Sequence, residues 1–518
     1  MFVRRHVVKS ISALLVAAML GGCGSQIGDT DKTNPELGGE VNLGLVRVSS
    51  LEPWRATTVS ERVIADTLYD GLTKWNASSK KTEPSLAQSW TASSDNSVWT
   101  FTLRDDAIAS NDERITALDV KRSIENVARM RRNSPGSESL SLVDGYQGFV
   151  NDPAVPGLSG LIAEGNTLKV VLNAPMPGLP SLLANPVFAV AHFAADGSSK
   201  STGSFKLLEA NESQMVFDKA PGSDAYVDKL RVTMFASVED SFAAFRDDKV
   251  DWSLVPVDRI TEATNTFGTA GFSPSLRAVY LALNLGSTDV SDVRLRQALV
   301  KAIDRKAIVK ALGVEAEPLE SIATIAVDGA REDACGKACR FDPDAARRLV
   351  RDVWPEGMPI SIDIALAQGA PFNDASVLVI KKNLDAVGIN ATVRLLPPGE
   401  LNAFSFNSSR EVFQSTWAAS YPKYEAFLNP MFDSASPTNV SNYSNPATDK
   451  LLGDANRTDS EDRRLQMSRQ LEKQLLGETF AIIPIATFPV NTVAHDRVQG
   501  SRVQPLGNLD PSVIWVKR

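Results

Sequence analysis

The stretch from Asp292 to Gly313, DVRLRQALVKAIDRKAIVKALG, carries the clearest helical pattern in the chain. Its apolar residues recur at steps of three and four, the spacing of one face of an α-helix. These apolar positions are Leu295, Ala298, Leu299, Ala302, Ile303, Val309 and Leu312. Glycine commonly follows the last helical residue, and serine commonly caps the first turn. The pattern therefore predicts one amphipathic helix over 292–312, capped near Ser291 and ended by Gly313.

The residues after this helix follow a strand–helix–strand pattern. Apolar and polar residues alternate over 360–366, a helical segment over 374–387 precedes Gly388, and Val393 and Leu395 alternate again. Strands joined by a helix through short links normally lie parallel in one sheet. We predict a parallel βαβ unit here.

The earlier part of the chain is richer in strand patterns. Alternation predicts strands over 41–45 and 230–234, and hairpins over 89–104 and 205–217. A helix is predicted over 61–69. Thr116 is a candidate cap for a helix over 117–120, and Thr458 with Glu461 has the spacing of a capping box. Together the segments predict a mixed α/β protein.

Length and charge limit the class of protein. A chain of 518 residues exceeds what one hydrophobic core usually organises, so two or three lobes are expected. The net charge is −8, or −11 without the three basic residues of the first nine positions. An acidic chain offers no broad basic surface for nucleic acid. We expect no nucleic-acid partner.

The first 23 residues predict export. Arg4, Arg5 and Lys9 precede an apolar run of ten residues at 11–20, too short to span a bilayer. The run ends in LGGC at 20–23, which resembles the bacterial lipobox and identifies Cys23 as the lipidated residue. We predict a signal peptide at 1–22, a lipidated cysteine with a flexible tether at 23–39, and an extracytoplasmic body anchored to the cell membrane. An ordinary secretory signal is the alternative, and the export route, Sec or twin-arginine, stays open.

Two cysteines remain after Cys23. Cys335 and Cys339 are separated by three residues, and outside the cytoplasm a local disulfide is the expected state. Zinc is the alternative, but it needs about four ligands, and none of the three histidines is near Cys335. We predict the disulfide and no metal or other cofactor.

Eight short motifs, in order, indicate a family. They are LEP at 51–53, YDGL at 69–72, PSLAQSW at 84–90, WTFTLR at 99–104, TALDV at 116–120, STGSF at 201–205, VRLRQAL at 293–299 with AIDR at 302–305, and YSNP at 443–446. In this order the chain resembles the extracellular solute-binding proteins of the oligopeptide/dipeptide-binding type, the large three-domain class that serves ABC importers.

The resemblance implies a two-lobed periplasmic-binding-protein fold with an extra inserted domain and a ligand cleft between the lobes. The implied domains are domain I (40–72, 190–283 and 488–518), domain II (73–189) and domain III (284–487). It also implies capture of a peptide or other small solute, delivery to ABC permease subunits, and a monomer.

In peptide-binding relatives the acid that holds the peptide α-amine lies in a WxADY-like stretch. The matching segment here is WAASYPKYEAFLN at 417–429, in which Ser420 occupies the position of the acid. A hydroxyl forms only a neutral hydrogen bond, so the usual amine clamp lacks its charge. Glu425 is a candidate replacement. Trp417, Tyr421 and Tyr424 are candidate pocket walls, with core packing as the alternative for the aromatic residues.

An enzyme is the main alternative class. The sequence contains no GxSxG, HExxH or P-loop motif. His192 and His495 stand in no recognisable nucleophile context. We therefore predict no enzymatic activity. The remaining hypotheses are the same fold with a non-peptide solute (sugar-like, opine-like, haem or a metal complex), a surface hydrolase, and a sensor.

Overall fold

The structure is a computed structural model that describes residues 35–130, 136–354, 360–368, 372–405 and 411–517. The predicted signal peptide and Cys23 lie outside these ranges. Within them, no helix combines the length and apolar character needed to cross a membrane. Residues 36–518 cluster as a single compact unit.

The first sheet is built from the beginning, the middle and the end of the chain. Its strands are, in spatial order, Phe205–Ala210, Gln214–Lys219, Lys229–Phe235, Glu40–Val46, Trp252–Leu254 and Thr492–Ala494. The strand Glu40–Val46 runs parallel to both of its neighbours. Val41, Leu43 and Leu45 are buried, as the alternation predicts. The predicted hairpin at 205–217 and the strand at 230–234 are confirmed.

The second sheet is antiparallel and lies wholly within 87–171. Its order is Ala87–Ala92, Val98–Leu103, Thr167–Val171 and Leu161–Glu164, which confirms the predicted hairpin at 89–104. The helix Ala117–Met130 packs against its last two strands. Thr116 immediately precedes this helix, and its N–H and hydroxyl donate to the carboxylate of Asp119.

The third sheet contains the predicted βαβ unit. Its order is Glu317–Pro318, Ile482–Thr487, Arg277–Leu283, Val412–Ala418, Ile360–Ala367 and Ile389–Leu396. The strands Ile360–Ala367 and Ile389–Leu396 pair in parallel, joined by the helix Asp374–Asp385. Gly388 follows this helix with a φ of 87°, a conformation that favours glycine. The βαβ prediction is confirmed.

Three two-stranded sheets and the helices complete the fold. The two-stranded sheets pair Thr73–Asn76 with Lys81–Pro84, His192–Phe193 with Ser199–Lys200, and Val498–Gln499 with Trp515–Val516. The other α-helices are Val59–Leu68, Tyr146–Asn151, Leu179–Leu182, Val238–Arg246, Ile260–Phe267, Val293–Ala302, Arg305–Leu312, Pro343–Val353, Pro398–Ser405, Glu425–Phe432, Pro446–Arg457 and Glu461–Gln474. Short helical turns include Ser137–Leu142 and Pro186–Phe188.

In the part of the chain that the structure describes, two segments connect the first and third sheets. Ser273 and Val490 exchange backbone hydrogen bonds of 2.9 and 2.8 Å where these segments run side by side. The Ser275 hydroxyl donates to the carbonyl of Phe488 at 2.6 Å. The predicted boundary at 283/284 would assign the strand Arg277–Leu283 to domain I, but that strand pairs only within the third sheet. The pairing favours a boundary before residue 277, and the division into domains itself stays a prediction.

The prediction of one continuous helix over 292–312 was wrong. The structure has two helices, Val293–Ala302 and Arg305–Leu312, because Ile303 and Asp304 adopt extended backbone angles. The Asp304 carboxylate caps the second helix by accepting from the N–H of Ala307 at 3.0 Å. Asp292, not Ser291, caps the first. Gly313 ends the second helix with a φ of 69°, as predicted.

The predicted capping box at Thr458 and Glu461 was also wrong. Ser460 caps the helix Glu461–Gln474 and accepts from the N–H of Arg463. Thr458 instead terminates the preceding helix, Pro446–Arg457, and its hydroxyl donates to the carbonyl of Asp454. A serine lying two residues closer to the helix supplied the cap, so the spacing rule selected the wrong hydroxyl.

Glu61 fastens the loop that contains the LEP motif to the helix Val59–Leu68. Its carboxylate accepts from the N–H and hydroxyl groups of Ser49 and Thr57 and from the N–H of Thr58, at 2.7 to 3.4 Å. Burial by itself raises the pKa of Glu61, but these hydrogen bonds outweigh it and lower the pKa from 4.5 to about 2.

We expect Glu61→Gln to lower the free energy of unfolding by about 2–3 kcal/mol at neutral pH, because an amide cannot accept all five bonds. A carboxylate whose pKa is lowered on folding stabilises above its unfolded pKa of 4.5 and loses that effect as the pH falls toward about 2. Urea unfolding of both proteins at pH 7 and pH 3 measures the difference. A difference as large at pH 3 as at pH 7 would contradict this account.

Candidate functional site

The WxADY-like segment forms a turn between a strand and a helix. Trp417 lies near the end of the strand Val412–Ala418, and Glu425 begins the helix Glu425–Phe432. The indole N–H of Trp417 donates to the carbonyl of Ala426 at 2.7 Å. This bond ties the strand to the first turn of the helix, so the residues between them, 418–424, form a fixed loop.

Ser420 is held by residues of the segment 73–189, far away in sequence. It is buried, with 9% of its surface exposed. The side-chain amide of Asn185 donates to the backbone carbonyl of Ser420 at 2.9 Å. The hydroxyl of Ser420 donates to Oε1 of Glu138 at 3.0 Å. Ser420 therefore lies where two distant parts of the chain meet, with a carboxylate directly against its hydroxyl.

Gly178 leaves room for two of the predicted ligand-binding residues, Tyr421 and Glu425. A Cβ atom at this position would clash with the ring of Tyr421 and would lie 2.8 Å from Oε1 of Glu425. Gly178 has an ordinary negative φ of −82°, so its backbone conformation does not require glycine. Glycine is required because Tyr421 and Glu425 approach this position so closely.

Tyr421 and Glu425 lie in an environment that disfavours negative charge. Tyr421 is 5% exposed. Burial raises the pKa of its hydroxyl well above the usual range, and the charges of Glu425 and Glu138 raise it further. Burial likewise raises the pKa of Glu425, although Lys423 and Arg464 oppose that shift. The site thus holds two carboxyl groups and a neutral phenol within one small volume.

Tyr424 points into the protein core rather than toward Ser420. It is buried, and its hydroxyl donates to Oε2 of Glu472 at 3.1 Å. The other oxygen of Glu472 accepts from the N–H of Ile322 at 2.8 Å. This arrangement agrees with the core-packing alternative for Tyr424. The side chain of Tyr424 thus supports the loop 418–424 from the protein interior.

Lys423 is paired with an acid and lies near an aromatic ring. It forms an ion pair with Glu461 and lies 5.9 Å from the ring centre of Trp75. The positive charge of Lys423 is therefore paired with Glu461 and not with Glu138.

The sequence did not indicate Glu138, Asn185 or Gly178 as site residues. Glu138 lies 282 positions before Ser420, in the short helical turn Ser137–Leu142. Nothing in the local pattern of that turn marks its glutamate as different from other exposed acids. The absence of an acid at residue 420 was the one available signal, since it leaves room for a carboxylate from elsewhere in the chain.

A polar cavity of about 770 Å³ lies beside this site, between the first sheet and the segment 73–189. Asn185 and Trp75 line it, together with Asp66, Asp70 and Arg104. Burial raises the pKa of Asp70 to about 6 and that of Asp66 well above its usual value. None of the five predicted ligand-binding residues lines this cavity.

The histidines and cysteines were the candidates for catalysis or metal binding. His192 contacts Glu113 and Asp119, and His495 stacks on Phe245 with ring centres 4.3 Å apart. Within the described ranges, no three His, Cys, Asp or Glu side chains come together to hold a metal ion.

Cys335 and Cys339 are both buried, and their Cα atoms are 5.4 Å apart. This separation is within the range that a disulfide spans. The disulfide stays a prediction that peptide mapping without reduction checks.

Comparison with known proteins identifies the family. Residues 81–439 match the middle region of the bacterial extracellular solute-binding proteins, family 5. The chain is 24% identical to the periplasmic oligopeptide-binding protein OppA of Salmonella typhimurium, over 85% of each chain. It is 24% identical to the periplasmic murein peptide-binding protein MppA of Escherichia coli, over 84% of this chain and 85% of the relative.

The fold agrees with this assignment. The structure of MppA, murein tripeptide-binding protein, in its unliganded open form superposes with a TM-score of 0.82 at 19% identity, covering 94% of this chain and 99% of that one. The likeness confirms the predicted mixed α/β, two-lobed architecture. The chain belongs to the bacterial extracellular solute-binding proteins of family 5.

Proposed function

We propose that this protein captures peptides between two closing lobes outside the cytoplasm and delivers them to the permease of an ABC importer. The observation that carries this proposal is the similarity, over about 85% of the chain, to relatives named for binding oligopeptides and murein peptides. Solute-binding proteins of this family are not enzymes, so the hydrolase alternative is excluded.

The connection between the sheets supports capture by closure. Only two segments, paired at Ser273 and Val490, join the first and third sheets in the described part of the chain near this point. A short paired connection concentrates a change of backbone angles at few residues, which is typical of a hinge. Closure about such a hinge would bury a ligand held between the lobes.

We propose that Ser420, Tyr421 and Glu425 contact the ligand, since they face the segment 73–189 across the contact with Gly178 and Glu138. Trp417 and Tyr424 hold the loop in position through their bonds to Ala426 and Glu472. A non-peptide solute is the alternative that the ligand experiment tests.

The anchor is part of the proposal. A signal peptide at 1–22 and a lipidated Cys23 would tether the monomer to the membrane through the segment 23–39, which places it next to its permease. Membrane attachment raises the local concentration of a binding protein at its transporter.

Native mass spectrometry of the full chain, purified without added ligand, tests the proposal. We expect a series of bound masses that fragment into short peptides. One discrete non-peptide mass would contradict peptide capture. If the protein is empty, a thermal-shift assay with a mixture of tri- to pentapeptides follows, because a ligand that binds only the folded state raises Tm by mass action. No shift with the mixture would also contradict the proposal.

A further inference from the structure

We infer that Glu138 supplies, from the opposite side of the cleft, the carboxylate that binds the α-ammonium group of a peptide, and that Ser420 orients it. This inference rests on the proposed function and names the residue that makes a free amino terminus a requirement for binding.

The first argument is the contact itself. The hydroxyl of Ser420 donates to Oε1 of Glu138 at 3.0 Å, and the amide of Asn185 holds the backbone of Ser420 at 2.9 Å. Ser420 is thus fixed from both ends and presents its hydroxyl to one oxygen of the carboxylate. The Glu138 side chain is exposed, so its second oxygen is accessible to a ligand.

The second argument is the missing cation. Among the described residues, no lysine or arginine lies within ion-pair distance of Glu138 or Glu425. Lys423, the basic residue of the same loop, pairs with Glu461. Lys423 and Arg464 still act on Glu425 from a greater distance, whereas Glu138 has no basic partner among the described residues. A ligand ammonium group would supply the positive charge that the Glu138 carboxylate lacks there.

The third argument is the hydroxyl of Tyr421. This side chain is 5% exposed, and its hydroxyl forms no hydrogen bond with any described residue. It lies close enough to Glu138 and Glu425 for both charges to raise its pKa. The hydroxyl oxygen itself is not fully buried, so a ligand can reach it. An ammonium group, with three N–H donors, can bond to Glu138, to the Ser420 oxygen and to the Tyr421 oxygen together.

The experiment compares two ligands and three variants of the full chain. The ligands are an equimolar mixture of tri- to pentapeptides and the same mixture after N-acetylation, which removes the ammonium charge. The variants are Glu138→Gln, Glu138→Gln with Ser420→Asp, and the control Glu164→Gln. Glu164 is an exposed glutamate in the second sheet, so its substitution makes the same chemical change away from Ser420. Affinity is measured by competition against a fluorescent peptide with a free amine.

We expect the wild type and Glu164→Gln to prefer the free peptides. Glu138→Gln should bind the free peptides about 10- to 100-fold more weakly, the loss expected for a charge-assisted hydrogen bond, and should bind the acetylated peptides as the wild type does. Ser420→Asp should restore most of the lost affinity in the Glu138→Gln background by returning a carboxylate to the same place.

The outcomes separate this inference from the proposed function. If the wild type binds free and acetylated peptides equally, or if Glu138→Gln retains full preference for the free amine, the inference is wrong and peptide capture stands. If the wild type binds neither mixture, both are wrong. Recovery by Ser420→Asp shows that Glu138→Gln is folded, and circular dichroism checks the fold independently.

Discussion

The Cys23→Ser protein is expected to appear entirely in the soluble fraction, whereas the wild type remains with the membrane. A diacylated cysteine provides two chains, and two chains anchor a protein stably where one binds only marginally. Serine lacks the thiol that accepts the lipid, so the substitution removes the lipid anchor completely. Cell fractionation and metabolic labelling with radioactive palmitate measure the change.

A second cysteine provides the control for this experiment. Cys335→Ser alters a buried cysteine more than 300 positions after the leader in the sequence and should leave both membrane attachment and label unchanged. If the wild type itself is soluble and unlabelled, the leader is an ordinary secretory signal. If Cys23→Ser still carries the palmitate label, another residue accepts the lipid, and the lipobox interpretation is wrong.

Strands and the βαβ unit were predictable because their patterns are local. Alternation of apolar residues directly reports burial of one strand face, as at Val41, Leu43 and Leu45. Helix ends were less predictable, since several hydroxyl or carboxylate side chains compete for the same N–H groups. Asp304 interrupts a helical pattern that continues through it, because its carboxylate forms a cap that the apolar spacing does not register.

Only one part of the candidate site, the segment 417–429, could be predicted from the sequence. The segment 417–429 was found by resemblance, and its missing acid at Ser420 was recognised from the sequence. Glu138 could not be found in the same way, because its role depends on a contact between residues 282 positions apart. The sequence suggested Glu425, which lies in the same segment as Ser420, and the structure adds Glu138 from the facing segment.

Arg305→Ala is expected to destabilise the protein by about 3–4 kcal/mol, the largest effect on stability that we predict. The Arg305 side chain is 3% exposed, and it donates to the carbonyls of Pro484 at 2.7 Å and Cys339 at 2.8 Å. Burial lowers its pKa to about 10, so it stays charged at neutral pH. Without this side chain, both carbonyls would lose their hydrogen-bond donor. The substitution would also create a cavity between the helix Arg305–Leu312 and the third sheet. The midpoint of urea unfolding measures the loss.

Arg294 lies in the same sequence motif and provides the control for Arg305. Its side chain is exposed and bonds to the neighbouring Asp292, so Arg294→Ala should unfold at nearly the wild-type urea concentration. Equal destabilisation by the two substitutions would contradict our account of Arg305. A large effect of Arg305→Ala alone would show that this arginine of the motif stabilises the protein by joining the helix after Asp304 to the third sheet.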